Sequence, residues 1–191
     1  MLIREKVRQA VELLNEYDLD CWITFVRESG IMRDPMMDFL CEADMTWHSA
    51  FIIFDTGETH AIVGQMEKNT IDEMGVYMSV TGYVAGIKKH LHEVLLDHDP
   101  RTIAVNYSEN SEVCDGLTHG MFEILMQNLE GTPYADRWIS SENLIAALRG
   151  RIATLRELSD ELETARRNGS DVGPIAEKLS AELSSFTLGN Q

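Results

Sequence analysis

Two runs of apolar and β-branched residues, separated by one tight turn, constrain the fold of this chain most strongly. They lie in the segment WHSAFIIFDTGETHAIVG, residues 47–64, on either side of Asp55-Thr56-Gly57-Glu58. Glycine readily adopts the positive φ that tight hairpin turns require, so Gly57 marks the turn between two strands. The sequence therefore predicts an antiparallel β-hairpin, and any sheet that contains it is at least partly antiparallel.

Strands and helices alternate on both sides of this hairpin, up to about residue 150. An amphipathic helix over Ile3–Tyr17 precedes the run CWITFV, which is typical of a buried strand. This alternation indicates an α/β domain with a mixed sheet and helices on both faces. Beyond Gln65 the pattern predicts helix 67–74, strand 77–81, helix 85–96, the strand TIAVNY, helix 116–129, a short strand near Trp138 and the helix SENLIAALR.

The pattern changes beyond Arg151, where no strand pattern remains and two helical segments flank RNGSDVGP. Each segment carries an apolar stripe that needs a partner surface. We expect the stripes to pack against the domain or against each other, and a protein-binding helix is the alternative. The stripes consist of Ile152, Leu155, Leu158, Leu162 and Ala165, and then of Val172, Ile175, Leu179, Leu183 and Phe186.

The charge and the longest apolar runs exclude several classes of partner. A formal net charge of -16 disfavours nucleic acid, whose phosphates require clustered basic residues. The longest apolar runs, such as 50–54, are far shorter than the roughly 20 residues of a membrane helix. The opening MLIREKVRQ lacks the apolar core of a secretory signal. We therefore expect a soluble cytoplasmic protein with no nucleic-acid or membrane partner and with reduced cysteines.

The segment NYSENSEVCDGLTHGM, residues 106–121, gathers the residue types of a nucleophilic centre. Cys114 and His119 are five positions apart, a spacing that turns the two side chains away from each other on a helix. Asp115 is more simply explained as the N-cap of the helix that follows. We interpret this segment as a strand-to-helix loop and predict no catalytic residues in it.

The histidine-rich segment KKHLHEVLLDHD, residues 88–99, is the second chemical candidate. Metal-binding histidines on one helix need spacings of three or four, and His90 and His92 point in different directions. His90, Glu93 and Asp97 share a face, but a solvated polar face is the favoured interpretation. His48 and His60 lie in the hairpin region and His119 opens a helix, and the sequence does not bring these three together. We therefore predict no metal and no other cofactor in this chain.

Four strings, with their order and spacing, resemble the N-terminal domain of the creatinase, prolidase and Xaa-Pro aminopeptidase family. The resemblance covers about residues 1–151 and implies a ribonuclease-H-like mixed sheet with flanking helices. In that family a separate C-terminal pita-bread domain holds two divalent metals with two aspartates, one histidine and two glutamates. The matching strings are DCWITFVRESG, DMTWHSAFIIFDTGETHAIVG, IAVNYSENSEVCDGLTHGM and EGTPYADRWISSENLIAALRGR.

The residues after Arg151 depart from the family pattern. The 40 residues that follow contain no histidine, so the resemblance implies a chain without its metal-binding domain. ELETARRNGSDVGPIAEKLSAEL resembles the first helices of that domain, which makes residues 152–191 a helical tail and a remnant of its beginning. We expect IATLRE to mark a truncation or deletion, because family members place a Lys-x-Pro-Glu-like helix start there.

The resemblance also suggests where a partner binds. The loop RESGIMRDPMMDFLCEADMTW, residues 27–47, is expected near the entrance that such domains help to wall. Arg27, Arg33 and Trp47 are the residues there best suited to hold a carboxylate or an apolar side chain. We therefore expect a non-catalytic domain that self-associates as a dimer or joins a catalytic domain. The alternatives are a stand-alone protein-binding module of the same fold and, least favoured, an enzyme that uses Cys114 and His119.

Overall fold

The computed structural model of the chain describes residues 2–185. They form two compact units that divide between Ile145 and Ala146, and Phe186, the last residue of the second predicted stripe, lies outside the described residues. The boundary predicted at residue 151 falls inside a long helix, Glu142–Arg167. Among the described residues, no helix combines the length and the apolar composition needed to span a bilayer.

A six-stranded mixed sheet forms the centre of the first unit. The strand order is β4-β3-β2-β1-β5-β6, in which β2 runs antiparallel to both of its neighbours and the other pairs are parallel. The hairpin prediction is confirmed: Ile53 pairs with Thr59, and Gly57 has a φ of 90° in the turn. The strands are β1 Cys21–Val26, β2 Ser49–Phe54, β3 Thr59–Gly64, β4 Ser79–Tyr83, β5 Ile103–Val105 and β6 Trp138–Ser140.

Seven α-helices and two short 3₁₀ turns connect and follow the strands in the described residues. The 3₁₀ turns are Glu112–Cys114 and Pro133–Asp136. The helices are α1 Leu2–Glu16, α2 Met37–Leu40, α3 Lys68–Met74, α4 Lys88–His98, α5 His119–Leu129, α6 Glu142–Arg167 and α7 Gly173–Ser185.

The hydrophobic core explains why both faces of the sheet are covered. Alternate residues of β1, such as Ile23 and Phe25, pack in one cluster with Leu91 of α4 and Leu125 of α5. Helix α1 contacts β2 and buries Leu14. Each such fully buried side chain contributes about 1.5–3 kcal/mol of transfer free energy, so both helical layers add to the stability of the sheet. The predicted α/β class, a mixed sheet with helices on both faces, is confirmed.

Local details of the helix boundaries differ from the sequence prediction. Helix α5 begins at His119 instead of Gly116, and Thr118 is its N-cap, with a side chain that accepts a hydrogen bond from the Met121 amide. The prediction that Asp115 caps this helix is therefore wrong. The Asp115 carboxylate instead accepts a hydrogen bond from the Ser108 amide, 3.2 Å away. An aspartate that precedes a glycine can accept a hydrogen bond from a loop amide or from the first amides of a helix. The sequence alone does not distinguish these two roles.

The second unit contains most of α6 and all of α7. In α6 the predicted stripe residues are more buried than the positions between them, and in α7 the same holds for Ile175 and Leu179. Ala165 and Ile175 line one shared concavity between the two helices of this unit. Leu183 of α7 stays 39% exposed, so this apolar stripe is only partly covered.

Candidate functional site at the carboxyl edge of the sheet

The carboxyl ends of three parallel strands meet along one edge of the sheet. Strand β1 pairs with β5, and β5 pairs with β6 so that Val105 lies beside Ser140. The segments that leave this edge are residues 27–36 after β1, residues 106–118 after β5 and the start of α6 after β6. Ligands of open α/β sheets bind in the crevice outside the carboxyl ends of the strands, so this edge is the candidate functional site.

A buried asparagine ties these three segments together. Asn106 follows β5 directly and is 1% exposed. Its Oδ1 accepts hydrogen bonds from Trp22 Nε1 at 2.7 Å and from Ser141 Oγ at 2.9 Å. Its Nδ2 donates to Thr24 Oγ1 at 3.0 Å and to Asp34 Oδ2 at 2.9 Å. All four hydrogen-bonding positions of the amide are used, which makes Asn106 the fixed centre of the network.

The carboxyl group of Asp34 connects the network to the loop after β1. Burial raises the pKa of Asp34, and its Oδ1 accepts a hydrogen bond from the Met36 amide at 2.8 Å. Gly116, in the loop after β5, packs directly against this carboxyl group, and a Cβ atom at that position would overlap it. The two loops therefore approach so closely that only glycine fits between them.

A cleft of about 150 Å³ with a mixed polar and apolar lining lies beside this junction. Phe25 of β1 and Met121 of α5 form part of its lining, and Ile31 and Met32 stand at its rim with exposures of 88% and 69%. Small-molecule sites usually enclose roughly 300–1,000 Å³. The cleft is thus the size of one apolar side chain, and the exposed rim is suited to contact with another protein surface.

A histidine next to the cleft was missed by the sequence analysis. The imidazole of His48 stacks on Phe25, with ring centroids 5.9 Å apart and an angle of 7° between the planes. Burial lowers the pKa of His48, and the positive charge of Arg27 lowers it further. His48 precedes β2, which runs antiparallel to β1, so only the strand pairing places it at the carboxyl edge.

The three binding residues predicted from the sequence occupy different surroundings. Arg27 is exposed and lines the cleft. Arg33 is held by its own loop, because its guanidinium lies 2.9 Å from Asp38 Oδ1 and 2.6 Å from Asp44 Oδ1. The Trp47 side chain packs against the Cα of Gly64 and is 39% exposed. Neither Arg33 nor Trp47 is among the lining residues of the cleft, so the structure does not gather the three at one point.

The cysteine and the histidine of segment 106–121 make separate contacts. Cys114 is buried, and its thiol lies 3.8 Å from the carbonyl oxygen of Glu142. The imidazole of His119 is 86% exposed and lies 3.3 Å from the Glu123 carboxylate on the same helix. A nucleophile and its base must be within hydrogen-bond reach, and each of these groups is engaged elsewhere. The segment serves as the predicted strand-to-helix loop.

Two histidines that are distant in sequence meet at the opposite edge of the sheet. Glu58 Oε2 lies 2.8 Å from His98 Nε2 and 3.8 Å from His60 Nε2. Within residues 2–185 these three form the one group of histidine, cysteine or acidic side chains with the spacing of metal ligands. Two histidines and one carboxylate do not match the five-residue set of the pita-bread metal pair. We therefore derive no peptidase chemistry from this group.

Comparisons with solved structures show which known proteins share this fold. No family model matches the sequence, and no curated protein matches it. The N-terminal domain of the Xaa-Pro dipeptidase from Lactobacillus brevis superposes with a TM-score of 0.52 at 12% identity, covering 74% of this chain and 98% of that one. A proline dipeptidase structure from Streptococcus pneumoniae gives 0.54 at 15% identity, covering 75% and 96%.

A longer structure shows the same relationship. The X-Pro aminopeptidase from Thermotoga maritima superposes with a TM-score of 0.57 at 12% identity. The match covers 94% of this chain and 49% of the aminopeptidase, so the chain spans about half the length of that protein. The protein thus has the fold of the N-terminal, creatinase-like domain of Xaa-Pro dipeptidases and aminopeptidases.

Proposed function

We propose that residues 1–191 form a non-catalytic domain of an Xaa-Pro aminopeptidase- or prolidase-like protein, whose carboxyl edge packs against a second copy or against a catalytic domain. The observation that supports this most directly is the match to a whole N-terminal domain, 98% of the Lactobacillus brevis structure. The low identity makes the match one of fold, so the role in walling an active site is the proposal itself.

The carboxyl edge is suited to this role because a rigid base supports an apolar rim. The Asn106 network fixes the loops after β1 and β5, while Ile31 and Met32 project into solvent. Adjacent, exposed large apolar residues are typical of protein contact sites. Arg27 and Glu28, which also line the cleft, would give the contact a polar border.

The first test is hydrolysis of a panel of Xaa-Pro peptides by the purified chain with excess Mn²⁺ or Zn²⁺. We expect no turnover above that of a chelator-treated sample. Chelator-sensitive hydrolysis that copurifies with the chain would contradict the non-catalytic proposal, because a peptidase site would then exist within these residues.

The second test concerns self-association. We expect the chain to sediment as a dimer, and the double variant Ile31→Ser/Met32→Ser to sediment as a monomer. The matched control is Met66→Ser/Met78→Ser, since Met66 and Met78 are 86% and 74% exposed and lie away from the cleft. Equal dissociation of both variants would show that general surface hydrophobicity, and not the rim, drives assembly.

A stand-alone protein-binding module is the second candidate. The partly covered apolar stripe of α6 and α7, with Leu183 39% exposed, favours it. Two results together would support this candidate over the first. The parent chain would be monomeric at all concentrations, and it would neither bind nor activate an added Xaa-Pro peptidase catalytic domain.

A further inference from the structure

The hairpin turn and the end of a helix bring together three side chains with metal-binding atoms. Glu58 closes the β2–β3 turn, His60 lies two residues further along β3, and His98 is the last residue of α4. Residues two apart on a strand face the same side, which directs Glu58 and His60 toward α4. Glu58 Oε2, His60 Nε2 and His98 Nε2 all lie within 4.8 Å of one another.

The hydrogen bonds of His98 require a proton or a cation at its Nε2 position. His98 Nδ1 lies 2.9 Å from the Val94 carbonyl oxygen, which can only accept, so Nδ1 carries a proton. Neutral imidazole then has a bare Nε2, yet Nε2 lies 2.8 Å from the Glu58 carboxylate. Two acceptors at this distance are stable only with a proton or a metal cation between them.

The second histidine distinguishes a metal from a simple ion pair. His60 Nε2 is buried, makes no hydrogen bond and lies 3.8 Å from Glu58 Oε2. An ion pair between His98 and Glu58 leaves this atom unsatisfied, and a buried polar atom without a partner destabilises the folded state. A cation among the three groups would use the His60 lone pair.

The surroundings orient the two imidazole rings. The His98 ring stacks on Phe54 with centroids 3.8 Å apart, and the His60 ring meets the His98 ring edge to face at 5.1 Å. The Val94 carbonyl fixes the tautomer of His98, as outer-shell carbonyls do for zinc-bound histidines. Ligand atoms of tetrahedral zinc lie roughly 3.3 Å apart. The distances from Glu58 Oε2 to His98 Nε2 and to His60 Nε2, 2.8 and 3.8 Å, lie on either side of this value. The Glu58 side chain is half-exposed, so it can change its conformation to meet a cation.

We propose that Glu58, His60 and His98 bind one Zn²⁺ ion, with a water molecule at the fourth position, and that the ion fastens the β2–β3 hairpin to the end of α4. The sequence analysis predicts no metal here, because His60 and His98 lie on different elements. Two histidines, one carboxylate and a water are a familiar zinc ligand set. The proposal concerns the first unit alone and is independent of the function proposed above.

Titration of untagged, metal-free protein with Zn²⁺ in a calorimeter, and with Co²⁺ by visible spectroscopy, tests the proposal. We expect one equivalent of Zn²⁺ to bind, and Co²⁺ to give the intense absorption of a tetrahedral site. His60→Gln, His98→Gln and Glu58→Gln should each weaken binding at least about tenfold, because the loss of even an outer-shell partner typically weakens metal binding about 10–100-fold. Circular dichroism establishes that each variant is folded.

The matched control is His90→Gln, because His90 also pairs with a glutamate, with Nδ1 3.2 Å from Glu93 Oε2 on the exposed face of α4. This variant should bind Zn²⁺ like the parent. Glu58→Gln keeps the test decisive if the histidine variants fail to fold, since Glu58 is 51% exposed. Absence of binding by the folded parent overturns the proposal, as does equal weakening by His90→Gln and Glu58→Gln.

Discussion

The two edges of the central sheet organise polar residues in opposite ways. At the carboxyl edge, Asn106 and its partners are buried, and each donor of the amide meets an acceptor. At the amino edge, Asp20 binds the guanidinium of Arg101, whose side chain is 76% exposed. Buried hydrogen bonds are costly to break because water cannot replace them, whereas exposed ion pairs are screened. The buried hydrogen bonds at the carboxyl edge therefore contribute more to the stability of the fold than the ion pair at the amino edge. The charged groups of that ion pair remain accessible to dissolved ions.

Removing the centre of the buried network should have the largest effect. Asn106→Ala removes the oxygen that accepts hydrogen bonds from the Trp22 indole N–H and the Ser141 hydroxyl. We expect a loss of about 3 kcal/mol in the free energy of unfolding, measured by urea denaturation. Asn110→Ala, in the exposed part of the same loop, should change it by less than about 0.5 kcal/mol. Similar losses in both variants would show that the network adds no special stability.

The close approach of the two loops gives the second prediction. Gly116→Ala places a methyl group on the Asp34 carboxyl and should cost about 2 kcal/mol of stability, as overpacking typically does. Gly120→Ala is the control, because a Cβ atom there meets no neighbour and alanine favours the helix. The control should be neutral or slightly more stable in thermal denaturation. A tolerated Gly116→Ala would mean that the loop can move away from Asp34.

At the amino edge we expect a smaller effect that depends on pH. Hydrogen bonds from the Arg101 side chain lower the pKa of Asp20. The lowered pKa stabilises the folded state above the unfolded pKa of about 3.9, and this contribution is lost as the pH falls through the folded pKa. Asp20→Asn should therefore cost about 1 kcal/mol at neutral pH, limited by solvent screening, and progressively less in acid.

Urea denaturation of both proteins between about pH 7 and pH 3 measures this difference. The control is Asp18→Asn, because the Asp18 carboxylate is 96% exposed and lies 3.9 Å from Arg101. Its stability should follow that of the parent at every pH. A constant gap between Asp20→Asn and the parent down to the lowest pH would assign the loss to packing and not to charge.

The smallest effects should come from two arginines of the loop after β1. Arg33→Ala removes contacts with Asp38, Asp44 and the Cys41 carbonyl and should lower stability by about 0.5–1 kcal/mol, because the pairs are partly exposed. Arg27→Ala should leave stability unchanged and weaken self-association. If Arg27→Ala instead lowered stability and Arg33→Ala weakened self-association, Arg33 would be the residue that contacts the second copy, and Arg27 would stabilise the fold.

The sequence by itself determined the elements whose cause is local. The two apolar runs on either side of Gly57 give the hairpin, the apolar run CWITFV gives a fully buried strand, and the periodicity of residues 3–14 gives an amphipathic helix. These patterns depend on hydrophobic periodicity and on turn conformation, and both are set by residues that are close together in the chain. The predicted start of helix α5 lies three residues too early, because the sequence pattern favours Asp115 as its cap.

Only the tertiary structure decided which polar groups meet. Asp34 and Asn106 are 72 residues apart, and Asn106 and Ser141 are 35 apart, yet strand pairing places them within hydrogen-bond distance. Glu58 and His98 are 40 apart and meet because α4 ends beside the hairpin. A hydrogen bond or a metal site depends on distances of a few ångströms between side chains on different elements. Local sequence patterns do not encode those distances, which the packing of the sheet and helices sets.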